Sequence, residues 1–132
     1  SFRVSMDLPT ELPVMGSPGL MQQVIINLVQ NAADATDNQP EQMLAVSAWE
    51  ENGDIIVVFR DNGPGIAAES MGNIFDPFYT TKPVGKGTGL GLSISYGIIE
   101  RHSGKLSAGN LPQGGAEFML RLPRASGYTN SV

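Results

Sequence analysis

Two asparagines in a largely apolar stretch are the first residues that could do chemistry. Asn27 and Asn31 lie four residues apart between Gly19 and Thr36, and this spacing places them on one face of a helix. A buried amide must be hydrogen-bonded, so one interpretation is a structural bond to a neighbouring loop. The other is a ligand for Mg²⁺, which prefers oxygen donors and is usually held by one or two protein groups together with nucleotide phosphates. The spacing alone leaves both open.

A carboxylate followed by two glycines is the second candidate. The motif DNGPGI, from Asp61 to Ile66, begins just past the end of the apolar run 55–59, where a carboxylate can lie at the rim of a cleft. A carboxylate accepts a hydrogen bond from an exocyclic amine such as that of adenine, and the bare backbone of Gly63 and Gly65 lets a flat ring lie close. The alternative is an Asx-type turn that ends the strand.

A glycine-rich run precedes a second predicted helix. The stretch GKGTGLGL, residues 85–92, is not a Walker A loop, because Gly87 rather than Ser or Thr follows Lys86. It also departs from the dinucleotide fingerprint, because Leu92 holds the position of the last glycine. Unpaired N–H groups at a helix start suit a phosphate. A flexible hinge is the alternative interpretation.

The segment that leads into this run and overlaps its start, IFDPFYTTKPVGKG, combines two aromatic anchors with two cations. Phe75 and Phe78 are expected to hold a loop of otherwise low apolar content, and that loop carries Lys82 and Lys86. Mobile loops with cations often cover phosphates. The alternative interpretation is that both lysines are ordinary surface charges in contact with water.

These groups need a scaffold, and the pattern of apolar residues and turns predicts helices packed on one face of a mixed or antiparallel sheet, an α+β fold. The predicted elements are a strand near 2–9, a helix from Gly19 to about Thr36, two strands within 43–61 joined at Asn52-Gly53, a helix from about Thr88 to His102, and two strands within 104–123.

Length and composition limit the classes of protein. A chain of 132 residues forms one domain, which we expect over 1–123, with 124–132 as a disordered tail. A net charge of −5 argues against nucleic acid as a partner, and the absence of cysteine removes disulfides and thiolate metal sites. The sequence has no membrane span or secretory signal. Because it starts at Ser1 within a predicted strand, we expect a piece of a longer protein.

The four motifs, taken together and in this order, resemble those of the catalytic domain of histidine kinases, within the superfamily shared with gyrase, Hsp90 and MutL. They are NLVQNA, DNGPGI, IFDPFYTTK and GTGLGL. The resemblance spans about residues 1–123. It implies a two-layer α/β sandwich of the Bergerat type, with a mixed, mostly antiparallel sheet and ATP between the long helix and a mobile lid. The forms NAADA and FDPFYTTK are similar to the nitrogen-regulation type of sensor kinase.

The resemblance implies a role for each site residue. Asn31 matches the Mg²⁺ ligand, Asn27 the residue one turn before it, which also faces metal or phosphate, and Asp61 the carboxylate that reads adenine. The remaining expected nucleotide contacts are Gly63, Gly65, Ile66 and Phe75 near the base, Lys82 and Lys86 on the lid, and Gly87, Thr88, Gly89, Leu90 and Gly91 around the phosphates. Asp34 is a departure, because many members carry Lys or Arg there, so that phosphate contact is absent or supplied by another group.

The resemblance also implies which reaction follows ATP binding. ATPases of the superfamily place Glu four residues before the Mg²⁺-binding Asn as general base, and here Asn27 stands there. A neutral amide cannot accept a proton, so we expect poor hydrolysis and a γ-phosphate that awaits an external nucleophile, which in the family is a histidine on a separate dimerisation domain. His102 is the only histidine of the chain, and its predicted place at a helix C-terminus needs no catalytic role.

The expected partners follow from this reaction. They are the phosphoacceptor dimerisation domain of the same parent protein and a response regulator, without nucleic acid or membrane contact by this domain. We expect the isolated domain to be a cytoplasmic monomer, whether or not the parent is anchored in a membrane. Three alternatives stay open: a conformational ATPase of the gyrase and Hsp90 kind, a docking module that binds no nucleotide, and a kinase that acts on serine.

Overall fold

A mixed five-stranded sheet with two helices forms the described part of the chain. The computed structural model describes residues 2–7, 18–77, 79 and 91–124. Its elements are β1 (Phe2–Asp7), α1 (Pro18–Ala35), β2 (Gln42–Glu51), β3 (Asp54–Asp61), α2 (Gly91–Arg101), β4 (Lys105–Asn110) and β5 (Ala116–Pro123). The strand order is β1-β2-β3-β5-β4. The β1–β2 pair is parallel and the other three pairs are antiparallel, which confirms the predicted α+β class.

Both predicted hairpins are present. Asn52 and Gly53 have φ values of 53° and 83°, as the two central residues of a type I′ turn require. Strand β3 follows this turn and pairs with β2 on one side and β5 on the other. Its central place explains the continuous apolar sequence, since Ile55 and Ile56 point to opposite faces and are both about 1% exposed.

The two helices pack on one face of the sheet. Register places Val46, Phe59 and Phe118 side by side on β2, β3 and β5, and all three belong to a core cluster shared with the helices. The predicted alternation of β5 is confirmed, because its apolar residues Ala116, Phe118, Leu120 and Leu122 are all buried. The cluster includes Val24, Leu28 and Ala32 of α1 and Ile98 and Ile99 of α2.

Polar side chains cap the end of α1. The hydroxyl of Thr36, which is fully buried, donates to the carbonyl oxygen of Ala32 at 2.8 Å. Gln42 Nε2 donates to the carbonyl oxygen of Ala33 at 2.9 Å. The Gln42 bond serves a carbonyl group of the last helical turn, and the Thr36 hydroxyl reinforces the bond that the Thr36 N–H already makes to Ala32 at 3.1 Å. Helix α1 therefore ends at a defined place beside the sheet.

Several sequence predictions fall outside the described residues. They concern the aromatic anchor Phe78, the predicted helix start at Thr88 and most of the tail, so the limits 1–123 and 124–132 stay predictions. Within the described part, Arg124 N–H donates to the carbonyl oxygen of Gly53 at 3.0 Å. Neither described helix is long and apolar enough to cross a membrane.

Candidate functional site

Asp61 ends β3 with a buried carboxylate that bonds through one of its two oxygens in the part of the chain that the structure describes. The residue is 6% exposed. Its Oδ1 accepts the backbone N–H of Gly63 at 2.9 Å and that of Ala116 at 3.2 Å, so the Asx-type turn considered from sequence does exist. Among the described residues, Oδ2 has no hydrogen-bond partner. The turn therefore fixes the carboxylate and leaves one oxygen for a ligand.

The turn 61–66 lies in close contact with both the end of α1 and the β4–β5 hairpin. A Cβ atom added to Gly63 would lie 2.7 Å from the carbonyl oxygen of Ala35. One added to Gly115, whose φ is +99°, would lie 2.0 Å from the carbonyl oxygen of Asp61. Sequence reasoning missed Gly115, for which the Gly-Gly pair in the second hairpin was the available signal. Both glycines are required because three backbone segments meet here.

Two asparagines hold the ends of the same turn. Asn110 Oδ1 accepts the N–H of Ile66 at 2.7 Å, and Asn110 Nδ2 donates to the carbonyl oxygen of Ile66 at 2.8 Å. Asn62 Oδ1 accepts the N–H of Met43 at 2.9 Å, and its Nδ2 donates to the carbonyl oxygen of Glu41 at 2.8 Å. Neither asparagine was assigned a role from sequence, because both contacts join residues about 20 or more positions apart.

The face of α1 that carries Asn27 and Asn31 leads to this turn. Ala35, at the end of α1, contacts Gly63, while Asn31 and Asn27 lie one and two helical turns before it. Among the described residues, the half-buried side chain of Asn31 has no hydrogen-bond partner. Its amide is thus available to a ligand beside the turn.

Asn27 links the two helices. Its Nδ2 lies 3.3 Å from the carbonyl oxygen of Gly91 and 3.2 Å from the hydroxyl oxygen of Ser95, which is fully buried. The amide nitrogen of Asn27 thus makes structural hydrogen bonds, as one of the two sequence interpretations proposed, while Oδ1 has no partner among the described residues. The arrangement ties α1 to the first turn of α2, and the assignment of Asn27 to metal or phosphate stays a prediction.

Ile66 and Phe75 are partly buried against the hydrophobic core. The Phe75 ring stacks on Tyr96 of α2, with 5.1 Å between centroids, and meets Phe118 edge-on at 6.4 Å. The aromatic ring thereby joins the segment after the turn to α2 and the sheet. This is the anchoring that sequence reasoning expected of Phe75.

Of the remaining predicted site residues, the structure describes only Gly91, the first residue of α2. Lys82, Lys86, Gly87, Thr88, Gly89 and Leu90 lie outside the described residues, so their assignment to phosphate contacts stays a prediction. Gly91 itself is exposed, and its carbonyl group accepts from Asn27. No group of three or more His, Cys, Asp or Glu side chains that could hold a metal exists in the described ranges.

His102 follows α2 and faces its own helix. The ring atom Nδ1 lies 2.7 Å from the carbonyl oxygen of Ile98, and because a carbonyl only accepts, Nδ1 is the donor. The histidine therefore caps the end of α2, at the opposite end of this helix from Gly91.

Comparison with known proteins decides the family. Residues 16–126 match the family described as histidine kinase-, DNA gyrase B-, and HSP90-like ATPase. The chain belongs to this ATPase family. The match includes both asparagines of α1, the turn 61–66 and the start of α2, so the candidate site lies within the family domain.

Curated relatives of this ATPase domain include two-component sensors and sensor histidine kinases. The two-component sensor PprA of Pseudomonas aeruginosa is 40% identical over an alignment that covers 96% of this chain and 14% of that sensor. The chain thus spans about one seventh of the length of this relative. The domain is of the histidine-kinase type within the family; the nitrogen-regulation subtype stays a prediction.

Solved structures share the fold of this ATPase domain. The catalytic domain of histidine kinase ThkA, in a nucleotide-free form, is 34% identical with a TM-score of 0.78, covering 92% of this chain and 80% of that one. Full-length ShkA in complex with AMPPNP is 26% identical with a TM-score of 0.79, covering 94% of this chain and 26% of that one.

Proposed function

We propose that this ATPase domain binds ATP with Mg²⁺ and presents the γ-phosphate to a histidine on a separate phosphoacceptor domain of a two-component sensor. The nucleotide would lie between α1, the turn 61–66 and the start of α2. The observation that carries the proposal is Asp61, which has one oxygen fixed by two backbone N–H groups and the other without a partner among the described residues. Full-length ShkA, which contains a domain of this fold, was solved in complex with AMPPNP, and this supports the binding of a nucleotide.

Adenine recognition follows from the two oxygens of Asp61. Because Oδ1 is held by Gly63 and Ala116, the carboxylate cannot rotate freely and Oδ2 keeps one direction. An ionised carboxylate accepts strongly from an N–H donor, and the exocyclic amine of adenine is such a donor. A 6-oxo purine presents an acceptor instead, so the arrangement favours adenine.

The two asparagines of α1 fit a magnesium ion. Both offer carboxamide oxygens, and the nitrogen of Asn27 is occupied by Gly91 and Ser95, which leaves its oxygen for the ion. Mg²⁺ needs only one or two protein ligands when phosphates and waters complete its coordination. When bound, the ion would neutralise charge on the triphosphate. Asn31 and Asn27 are the residues that would hold it.

Transfer to an external histidine, rather than to water, is supported by what stands near the proposed triphosphate. Asn27 occupies the position of the general base in the related ATPases, and an amide whose nitrogen donates to Gly91 cannot take up a proton. A helix rises about 1.5 Å per residue, which places His102 about 16 Å along the axis from Gly91. The phosphoacceptor histidine and the response regulator that acts after it would therefore be supplied by other domains or proteins.

Calorimetry with and without Mg²⁺ tests the proposal. Wild type should bind ATP more tightly with Mg²⁺ than without it. In Asn31→Ala, the increase in ATP affinity that Mg²⁺ gives should be about tenfold smaller, since the substitution removes one ligand oxygen. Gln22→Ala is the matched control, because this exposed carboxamide lies on the opposite face of α1. A wild-type domain that binds no ATP would refute the proposal and favour a docking module.

A further inference from the structure

One register pair of the β4–β5 hairpin contacts both ends of the turn 61–66. Asn110 and Ala116 face each other across the two strands. The backbone N–H of Ala116 donates to Asp61 Oδ1 at 3.2 Å, while the side chain of Asn110 makes its two bonds to Ile66 at 2.7 and 2.8 Å. The first and last residues of the turn are thus held by neighbouring points of one hairpin.

We infer that Asn110 is a positioning residue of the nucleotide site, which sets the path of the turn 61–66 and so directs the free oxygen of Asp61 at the base. The inference rests on the proposed function. A carboxamide has the same donor and acceptor as a peptide group, so Asn110 gives Ile66 the pairing that a strand residue would give. Without it, the N–H and carbonyl groups of Ile66 would have to bond to water.

Gly65 is adapted to this contact. Its φ is +86°, and an added Cβ atom would lie 2.8 Å from Asn110 Oδ1. The carboxamide therefore lies directly against the backbone of the turn. A glycine at this position allows both the left-handed backbone and the close approach of the asparagine.

The hairpin does not need the Asn110 side chain for its own closure. The N–H of Leu111 donates to the carbonyl oxygen of Gly115 at 2.9 Å, and that of Gly114 donates to Leu111 at 3.0 Å. Asn110 is itself exposed and outside the hydrophobic core. Removal of its side chain should consequently release the turn without unfolding the domain.

The direct test compares nucleotide selectivity in wild type and Asn110→Ala. Inosine triphosphate carries an oxygen in place of the 6-amino group, so the ratio of the two dissociation constants reports how well Asp61 is aimed. Asn110→Ala should bind ATP about tenfold more weakly, and its preference for ATP over inosine triphosphate should shrink by a similar factor. Asn110→Asp should behave alike, because its second oxygen repels the carbonyl group of Ile66.

Asn52→Ala is the matched control for stability. Asn52 lies in the β2–β3 turn with φ of 53°, about 25 Å along β3 from Asp61. The same chemical change should therefore lower the unfolding temperature through backbone strain while the ATP preference stays at the wild-type value. A purely structural role for Asn110 would give the same result as this control, with unchanged selectivity, and would overturn the inference.

Hydrogen exchange of the nucleotide-free domain gives a second readout. The amide of Ile66 should exchange at least about tenfold faster in Asn110→Ala than in wild type, since its acceptor is removed; an unchanged rate would overturn the inference. Wild type that binds no ATP would refute both this inference and the proposed function. Wild type that binds ATP, together with an Asn110→Ala variant of equal affinity and selectivity, would refute this inference alone.

Discussion

At the scale of single residues, Asp61 combines a structural role with a proposed recognition role. Sequence reasoning weighed an Asx-type turn against a ligand contact as alternatives. The structure makes them compatible, because the turn uses Oδ1 while Oδ2 has no partner among the described residues. The same division occurs in Asn27, whose nitrogen joins two helices and whose oxygen has no partner within the described ranges. In both side chains, the structural bond orients the atom proposed to contact the ligand.

Replacement of Asp61 by asparagine should separate these two roles. The Asn side chain retains an oxygen for Gly63 and Ala116, so the unfolding temperature should stay near that of wild type. The amide NH₂ group of the new side chain would face the exocyclic amino group of adenine. Because both groups only donate hydrogen bonds, ATP affinity should fall about 10- to 100-fold. Inosine triphosphate should lose less affinity, because its oxygen can accept.

Asp54→Asn is the control for this substitution, since it makes the same chemical change at the other end of β3, where Asp54 pairs with Arg121 at 3.0 Å. Calorimetric titration with both nucleotides measures the effect. Equal ATP affinity in Asp61→Asn and wild type would exclude Asp61 as the adenine contact.

At the scale of elements, the site depends on three segments meeting within contact distance. The end of α1, the turn 61–66 and the β4–β5 hairpin approach through Gly63 and Gly115, and the first turn of α2 joins them through Asn27. Helices and strands thus fix the backbone, and short polar bonds fix the side chains. The geometry should be more sensitive to backbone crowding than to the loss of an exposed side chain.

Alanine substitution at the two glycines of the second hairpin should test this sensitivity. Gly114 and Gly115 have φ of +108° and +99°, so an added side chain strains both. Only at Gly115 would the new Cβ meet backbone, at 2.0 Å from the carbonyl oxygen of Asp61, whereas nothing lies within 4 Å at Gly114. Gly114→Ala should lose about 1 kcal/mol of unfolding free energy and bind ATP normally.

Gly115→Ala should be at least about 2 kcal/mol less stable than Gly114→Ala and should lose ATP binding, because Asp61 must move. Urea denaturation and calorimetry measure the two effects. Similar losses of stability in both variants, with intact ATP binding, would show that the close approach does not determine the site.

At the scale of the whole molecule, the sequence predicted the structural features that depend on residues close together in the chain. The Asn52-Gly53 hairpin and the alternation of β5 were predictable because turn chemistry and period-2 burial act over a few residues. The motif order led to the ATPase family, which the match over 16–126 confirms. The architecture of the domain could thus be predicted from short sequence patterns.

Contacts between distant residues could not be predicted in the same way. Asn110 meets Ile66 across 44 positions, and Asn27 meets Ser95 across 68. No local pattern distinguishes these partners from other exposed asparagines or helical serines. The close approach of Gly115 to Asp61 likewise depends on how the hairpin lies against β3. The assignments of Lys82, Lys86 and the 87–90 glycine run stay predictions, as does a cytoplasmic location.

Phosphate transfer from γ-labelled ATP tests the central claim most directly. The domain, loaded with ATP and Mg²⁺, is incubated alone and then with a separately produced dimerisation domain that carries the acceptor histidine, beside a variant lacking that histidine. We expect no label on the domain alone and acid-labile label on the histidine-bearing partner. Label on the isolated domain, acid-stable label on either protein, or release of phosphate to water without any transfer would contradict the account.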